Sequence, residues 1–378
     1  ISVVILIFLF ISVGKNSQSS YDLNSDSEDL DSFSFQLSDM VSKNYDIGKI
    51  NHQNISSRDF KEFKRGINKY KFQVPYEFFN YYYEKITPSV ILNYLSQNKF
   101  CHTEAHALGR VIFNRTQNIA ESFSMCGYRC TSGCIHGVFM GYFKQYESSS
   151  DNDGDGHYEL NDSDTLKLIE NFCNKNEVKK FFSLGECYHA LGHPLLFISD
   201  YNLSKGLELC RTLKGKAQIY YCATGIYNEY FLSSYTDKLP MDYYFFLCNT
   251  TEFPAACYRY MIGYLLKKNK NLSDVKRRCL SLPRPQKLGC FHGIGFAYQY
   301  NITRNPELIT NVCEDEDREN EKVCIDGAIH IVSVFNKESS IKACNSLRDE
   351  MKLYCMQEIR NSRFSLKKPL DLYYFDKE

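Results

Sequence analysis

The chain has 378 residues and carries 45 basic and 45 acidic side chains, so its formal net charge is zero. With no strongly basic face, nucleic acid is set aside as a partner. The length suffices for a large core or a long repeat array, and sixteen cysteines belong in an oxidising setting, namely the extracellular space, the secretory-pathway lumen or the periplasm.

In chain order, residues 1–13 are apolar apart from two serines, and Ser12-Val13-Gly14 supplies small residues suited to signal-peptidase cleavage. Residues 1–14 are therefore expected to be a cleaved signal peptide. With Ile1 rather than Met at the head, a longer intact version of the segment would instead be a signal anchor in a membrane. Residues 15–57 are rich in Ser, Asp and Asn and read as a disordered polar linker. Residues 58–87 turn aromatic and basic, as capping helices would, and Thr87-Pro88 looks like a helix start. Asn-X-Ser/Thr sequons stand at Asn54, Asn114, Asn161, Asn202, Asn249, Asn271 and Asn301. They are glycosylation acceptors if the chain passes through a eukaryotic secretory lumen.

From residue 88 to 362 the cysteines are periodic. Cys187, Cys222, Cys257, Cys290, Cys324 and Cys355 are spaced by 35, 35, 33, 34 and 31 residues. A second series, Cys173, Cys210, Cys248, Cys279, Cys313 and Cys344, precedes the first by 9 to 14 residues. A period of about 34 residues means one helical hairpin per unit. Aligned on the second cysteine of each unit, the next position is apolar (Ile135, Tyr188, Ala223, Tyr258, Phe291, Ile325, Met356). So is the fourth (Val138, Leu191, Ile226, Met261, Ile294, Ala328, Ile359). These offsets share one helical face, the expected core face. The third position is usually small (Gly137, Ala190, Gly225, Gly293, Gly327). A helical glycine costs about 1 kcal/mol relative to alanine, so its recurrence implies that something packs very closely there, most simply a neighbouring helix.

If the first cysteine ends helix A and the second opens helix B, each hairpin is stapled by one bridge. The pairs are then Cys126–Cys134, Cys173–Cys187, Cys210–Cys222, Cys248–Cys257, Cys279–Cys290, Cys313–Cys324 and Cys344–Cys355, which leaves Cys101 for Cys130. The expected fold is all-α, a right-handed α-solenoid of about eight hairpins, with residues 363–378 as a tail. Gly289-Cys290-Phe291-His292-Gly293-Ile294-Gly295 and Val323-Cys324-Ile325-Asp326-Gly327 resemble Sel1-like and tetratricopeptide-type repeats, in particular cysteine-rich Sel1-like proteins with one disulfide per hairpin. The resemblance implies a solenoid that binds a partner. The family's Ala and Leu-Gly positions are poorly kept and the cysteine gap is longer, so no specific activity is carried over.

Cys134 to Cys187 breaks the period at 53 residues, and the excess falls in residues 147–163. There Asp151, Asp153, Asp155, Gly156, His157, Glu159 and Asp162 occupy the offsets of an EF-hand loop, with carboxylates at positions 1, 3, 5 and 12 and glycine at 6. Asp at position 12 resembles dockerin-like loops and implies a structural or low-affinity Ca2+ site. A merely solvated insertion is the alternative.

Two residues after each helix-B cysteine the side chain is polar: His136, His189, Thr224, Arg259, His292, Asp326, Gln357. Four further on come His193 and His330, making one-turn pairs His189/His193 and Asp326/His330; His102/His106 is a third pair, shifted by one. Histidines at i, i+4 are half of a common zinc site, and His102, His106, His136, His189 and His193 are the candidates for Zn2+ or another transition metal if successive repeats converge. Otherwise the stripe, including Arg259, His292, Asp326 and His330, lines a polar groove. Glu104 is misplaced for a zincin base, and no nucleotide loop, serine elbow or haem motif occurs. The leading functional expectation is a secreted or lumenal module binding a protein, peptide or glycan through that polar, aromatic groove, without an enzymatic reaction. A metal-binding protein or metalloenzyme, and a structural cell-surface component, are the alternatives.

Overall fold

A computed structural model describes residues 57–70, 74–97, 101–127, 129–145, 163–233, 240–268 and 271–360. The apolar leader, the linker up to residue 56, the calcium-type loop with Asp151 through Asp162, the sequons at Asn54 and Asn161, and the tail from residue 363 lie outside the described residues.

The described chain is helical. After α1 (Ser57–Ile67), α2 (Tyr76–Tyr82) and α3 (Pro88–Gln97) come α4 (His102–Thr116) and α5 (Ile119–Cys126). A 3-10 turn at Arg129–Ser132 leads into α6 (Gly133–Lys144). Then follow α7 (Ser163–Phe172), α8 (Asn176–Lys179), α9 (Leu184–Ile198), α10 (Leu203–Arg211), α11 (Lys216–Leu232), α12 (Met241–Thr250) and α13 (Pro254–Lys267). The run ends with α14 (Leu272–Leu280), α15 (Arg284–Arg304), α16 (Leu308–Cys313), α17 (Arg318–Phe335), α18 (Lys337–Asn345) and α19 (Asp349–Glu358).

Local chemistry explains several boundaries. Pro254 is the first residue of α13, where its missing N–H costs nothing. Ser183 and Glu186 cap α9 reciprocally, each side chain bonding the other's backbone N–H. Asn202 and Asn271 cap α10 and α14 through their carbonyl oxygens. Together with Asn114, Asn249 and Asn301 these sequon asparagines are exposed.

Eight disulfides take up all sixteen cysteines: Cys101–Cys130, Cys126–Cys134, Cys173–Cys187, Cys210–Cys222, Cys248–Cys257, Cys279–Cys290, Cys313–Cys324 and Cys344–Cys355. One detail departs from the expected hairpin. Cys222, Cys290 and Cys324 sit well inside α11, α15 and α17 rather than opening them. The bridges therefore join two packed helices, and the connecting turns are shorter than the cysteine gap. Such a complement of bridges is consistent with an oxidising extracellular or lumenal setting. Among the described residues no helix is long and apolar enough to cross a membrane.

Most cysteine-flanked helix pairs pack together, α5 on α6, α10 on α11, α12 on α13, α14 on α15, α16 on α17 and α18 on α19. The longer members also pack on one another in sequence, α4 on α6, α6 on α9, α9 on α11, α11 on α13, α13 on α15, α15 on α17 and α17 on α19. The apolar face forms the core, with Tyr188, Tyr258, Phe291, Leu191, Ile226 and Met261 at 0–1% exposure. Met356 and Ile359 in the last pair are only partly buried.

The small-residue stripe settles what approaches closely: a neighbouring helix backbone. A methyl group on Gly137 of α6 would run into the His106 carbonyl of α4, and one on Gly225 of α11 into the His189 carbonyl of α9. Absence of a Cβ lets the two backbones touch, in the manner of Cα–H···O contacts between helices. Each contact falls on the carbonyl of a stripe residue. The same glycines that join the helices thus bring the polar stripes of adjacent helices side by side.

Candidate metal centre

Five histidines from three helices meet at this seam. His102 and His106 project from α4, His136 from α6, and His189 and His193 from α9. The rings of His136 and His193 lie 4.3 Å apart between centroids, those of His102 and His106 4.6 Å, and those of His102 and His193 5.9 Å. One ligand atom from each of His102, His106, His136 and His193 lies within 4.8 Å of all the others. His106, His136, His189 and His193 are at most 6% exposed.

The hydrogen bonds around this nest fix which nitrogen faces inward. His102 Nδ1 is 3.2 Å from the Cys130 carbonyl oxygen, which only accepts, so Nδ1 carries the proton. His193 Nδ1 donates to Glu229 Oε2 at 2.9 Å, and His106 Nδ1 faces the same oxygen at 3.5 Å. His189 Nδ1 is 2.8 Å from Thr224 Oγ1, whose own proton goes to the Tyr221 carbonyl, so His189 also donates from Nδ1. In the neutral rings of His102, His189 and His193 Nε2 is then a lone-pair acceptor. His102 Nε2 stands 3.1 Å from His106 Nε2, a hydrogen bond when His106 carries its proton there, whereas the Nε2 atoms of His189 and His193, both acceptors, stand 3.4 Å apart. Two lone pairs at that distance repel unless a cation lies between them. The separation matches the edge of about 3.3 Å expected for a tetrahedron of nitrogens bonded at roughly 2.0–2.1 Å.

A proton is a poor candidate for that cation. Burial holds His106 and His136 well below the ordinary histidine range, with the neighbouring imidazoles adding to the effect at both. Burial likewise takes His193 down to about 3. Glu229 is pushed up by burial and pulled back by His106, Arg110 and a hydrogen bond from Tyr201. Neutral imidazoles with Nδ1–H tied to oxygen acceptors are the form in which histidine binds metals.

The 3-10 turn at Arg129–Ser132 holds one of these acceptors. Cys130 and Ser132 have φ of 57° and 63°, a left-handed conformation that costs non-glycine residues energy. The Cys101–Cys130 bridge ties the turn to the start of α4. Those two cysteines are 8% and 7% exposed, against 0–1% for the other fourteen.

Of the remaining polar stripe, Arg259 and His292 are buried at 6% and 2%, and the side chains of Asp326 and His330 are 24% and 15% exposed. They do not present an open groove wall. Burial takes His292 down to about 4, with Arg259 adding to the effect. Burial would raise Asp326, but the hydrogen bonds from His292 and His330 outweigh it and hold its carboxyl well below the usual range. Glu104, half-buried between His102 and His106 in sequence, is raised to about 7 chiefly by burial.

Glu229 and Thr224 complete the site as acceptors, and sequence reasoning did not assign them that role. A signal for Glu229 was present: a single carboxylate within the apolar and aromatic run of α11, where burial demands a partner. Comparison with protein-family models, with curated proteins and with solved structures finds no match for the chain.

Proposed function

We propose that this chain is an exported, disulfide-stapled helical-repeat protein that holds a transition-metal ion, of the zinc class, on His102, His106, His136 and His193. The observation that carries the reading is the convergence of one ligand atom from each of these four rings to within 4.8 Å of one another, with the Nδ1 of His102 and of His193 turned to oxygen acceptors. Imidazole donors suit Zn, Cu, Fe and Ni. Four protein ligands fill a tetrahedral sphere, as in sites that hold rather than transform. His189 Nε2 beside His193 offers a fifth donor for an ion of higher coordination. The architecture fits a right-handed solenoid of about eight hairpins with a Sel1-like staple, wound tightly enough that α17 also reaches the Arg129–Ser132 turn. A partner-binding role would need a surface other than the stripe, since Arg259 and His292 are buried.

The test is metal content. Purified full-length protein with its disulfides intact, exposed to Zn2+ and desalted, is expected to retain zinc. Its Co2+ form is expected to show the intense visible bands of tetrahedral coordination. His106→Gln combined with His193→Gln should remove those bands while the far-ultraviolet circular dichroism stays helical. Absence of the bands in the parent, or their survival in the double variant, would refute the centre.

A second expectation concerns the bridge beside it. A mild dithiol should reduce Cys101–Cys130 first, because its cysteines are the more exposed ones, and should weaken zinc binding by freeing the turn that orients His102. Thiol mapping by mass spectrometry alongside a zinc titration reads both effects. Reduction of that bridge with unchanged zinc affinity would show the turn to be irrelevant.

A further inference from the structure

A second group of donors lies beyond two intervening hairpins, on α15 and α17. One ligand atom each from His292, Asp326 and His330 falls within 4.8 Å of the others. His292 Nε2 is 3.3 Å from Asp326 Oδ2, and His330 Nδ1 is 3.5 Å from Asp326 Oδ1. Those separations are long for charge-assisted hydrogen bonds, which run at about 2.7–2.9 Å. They are close to the edges of about 3.0–3.4 Å that a metal with bonds of roughly 2.0–2.2 Å imposes on its ligands.

The register of this group repeats that of the four-histidine nest. His292 and Asp326 stand two residues after Cys290 and Cys324, as His136 stands two after Cys134, and His330 follows Asp326 by one turn, as His106 follows His102. The backbone device is also the same. Gly327 of α17 seats on the His292 carbonyl of α15, as Gly137 seats on that of His106. A close helix pair has placed a mixed imidazole and carboxylate set where its relative places four imidazoles.

We propose that His292, Asp326 and His330 bind a second divalent transition-metal ion, and that its open coordination positions take a small chelating anion. Two imidazoles and one carboxylate leave open positions, the arrangement of reactive rather than closed sites. The anion follows from charge. Arg259 of α13 is 6% exposed, has its guanidinium 5.0 Å from the Tyr260 ring and 5.2 Å from the Phe296 ring, and has no hydrogen-bond partner for its Nε. Its backbone is packed against α15, with the Arg259 carbonyl only 2.6 Å from where a Cβ on Gly293 would stand. A dication on the helix packed against the one that carries this buried guanidinium, offset only by Asp326, would add to buried positive charge that a carboxylate-type ligand neutralises.

The inference stands apart from the four-histidine reading, and metal counting separates them. The full-length protein, saturated with Zn2+ and desalted, is expected to hold two ions per chain by elemental analysis. Asp326→Asn should lower this to one, and so should His106→Gln with His193→Gln; all three changes together should give none. Two ions retained by Asp326→Asn would overturn the second site. One ion in the parent, lost with the histidine pair and indifferent to Asp326, would overturn it while leaving the first centre intact. One ion kept by the histidine double variant and lost with Asp326→Asn would uphold the second site alone, and none in the parent would overturn both. In Co2+-loaded protein, oxalate is expected to change the visible spectrum of the parent but not of Asp326→Asn. An unchanged parent spectrum would overturn the anion.

Discussion

Gly137→Ala is expected to destabilise the fold by about 2–3 kcal/mol, the range for overpacking a well-filled contact, and to cost at least tenfold in zinc affinity. Helix propensity alone predicts the reverse, since alanine gains about 1 kcal/mol over glycine in a helix interior. The obstacle decides the sign. The added methyl meets the carbonyl oxygen and Cα of His106, main-chain atoms that cannot rotate aside. α6 must therefore retreat from α4, which loosens the shared core and carries His136 away from His102 and His106. Gly66→Ala is the control. Its methyl would meet the ring edge of Phe78, a half-buried side chain that can give way, so its stability should change little. Urea denaturation and zinc titration of the two variants side by side read the contrast. Equal behaviour of both would mean that the seam is not set by backbone contact.

What could be read from the residues follows the same division between backbone and side chain. The cysteine register names all eight bridges because a stapled hairpin admits few partners, and periodic apolar positions such as Tyr188 and Leu191 mark the buried face. The glycines announce a close approach without naming the neighbour, since Gly137 and Gly225 carry no information about the carbonyl they meet. Convergence of His102, His106, His136 and His193 depends on the crossing of α4, α6 and α9, a property of three helices that the spacing within any one of them does not contain. Glu229 is further removed, because it serves histidines 123 and 36 positions before it (229 less 106, and 229 less 193). The groove expectation for Arg259 and His292 met the opposite outcome. A polar stripe opposite an apolar face normally faces solvent, but here the inner helices pack on both sides and enclose it.

Glu229→Gln is expected to weaken zinc binding by about 10–100-fold, the usual cost of removing an acceptor behind a ligating histidine, while leaving the zinc-free protein folded. In the parent, one carboxylate oxygen receives Nδ1–H of His193 at 2.9 Å and faces that of His106 at 3.5 Å. Glutamine has the same shape, and its one accepting oxygen can take the place of Oε2 while its amide group faces the Tyr201 hydroxyl, so both imidazoles keep an acceptor, but a neutral and weaker one. A weaker acceptor at Nδ1–H leaves each imidazole a less basic ligand. Charge acts in the same direction, because a buried carboxylate offsets part of the ion's charge and an amide does not. Without metal the balance differs: Glu229 is raised by burial, which marks its charged form as costly in the apoprotein, so the neutral amide should cost little. A 100-fold loss of affinity removes about 2.7 kcal/mol of zinc-dependent stabilisation at saturating ion. Thermal unfolding with and without zinc measures this directly. Equal zinc-induced shifts in parent and Glu229→Gln would detach Glu229 from the metal, and a collapse of the zinc-free variant would make it a structural residue.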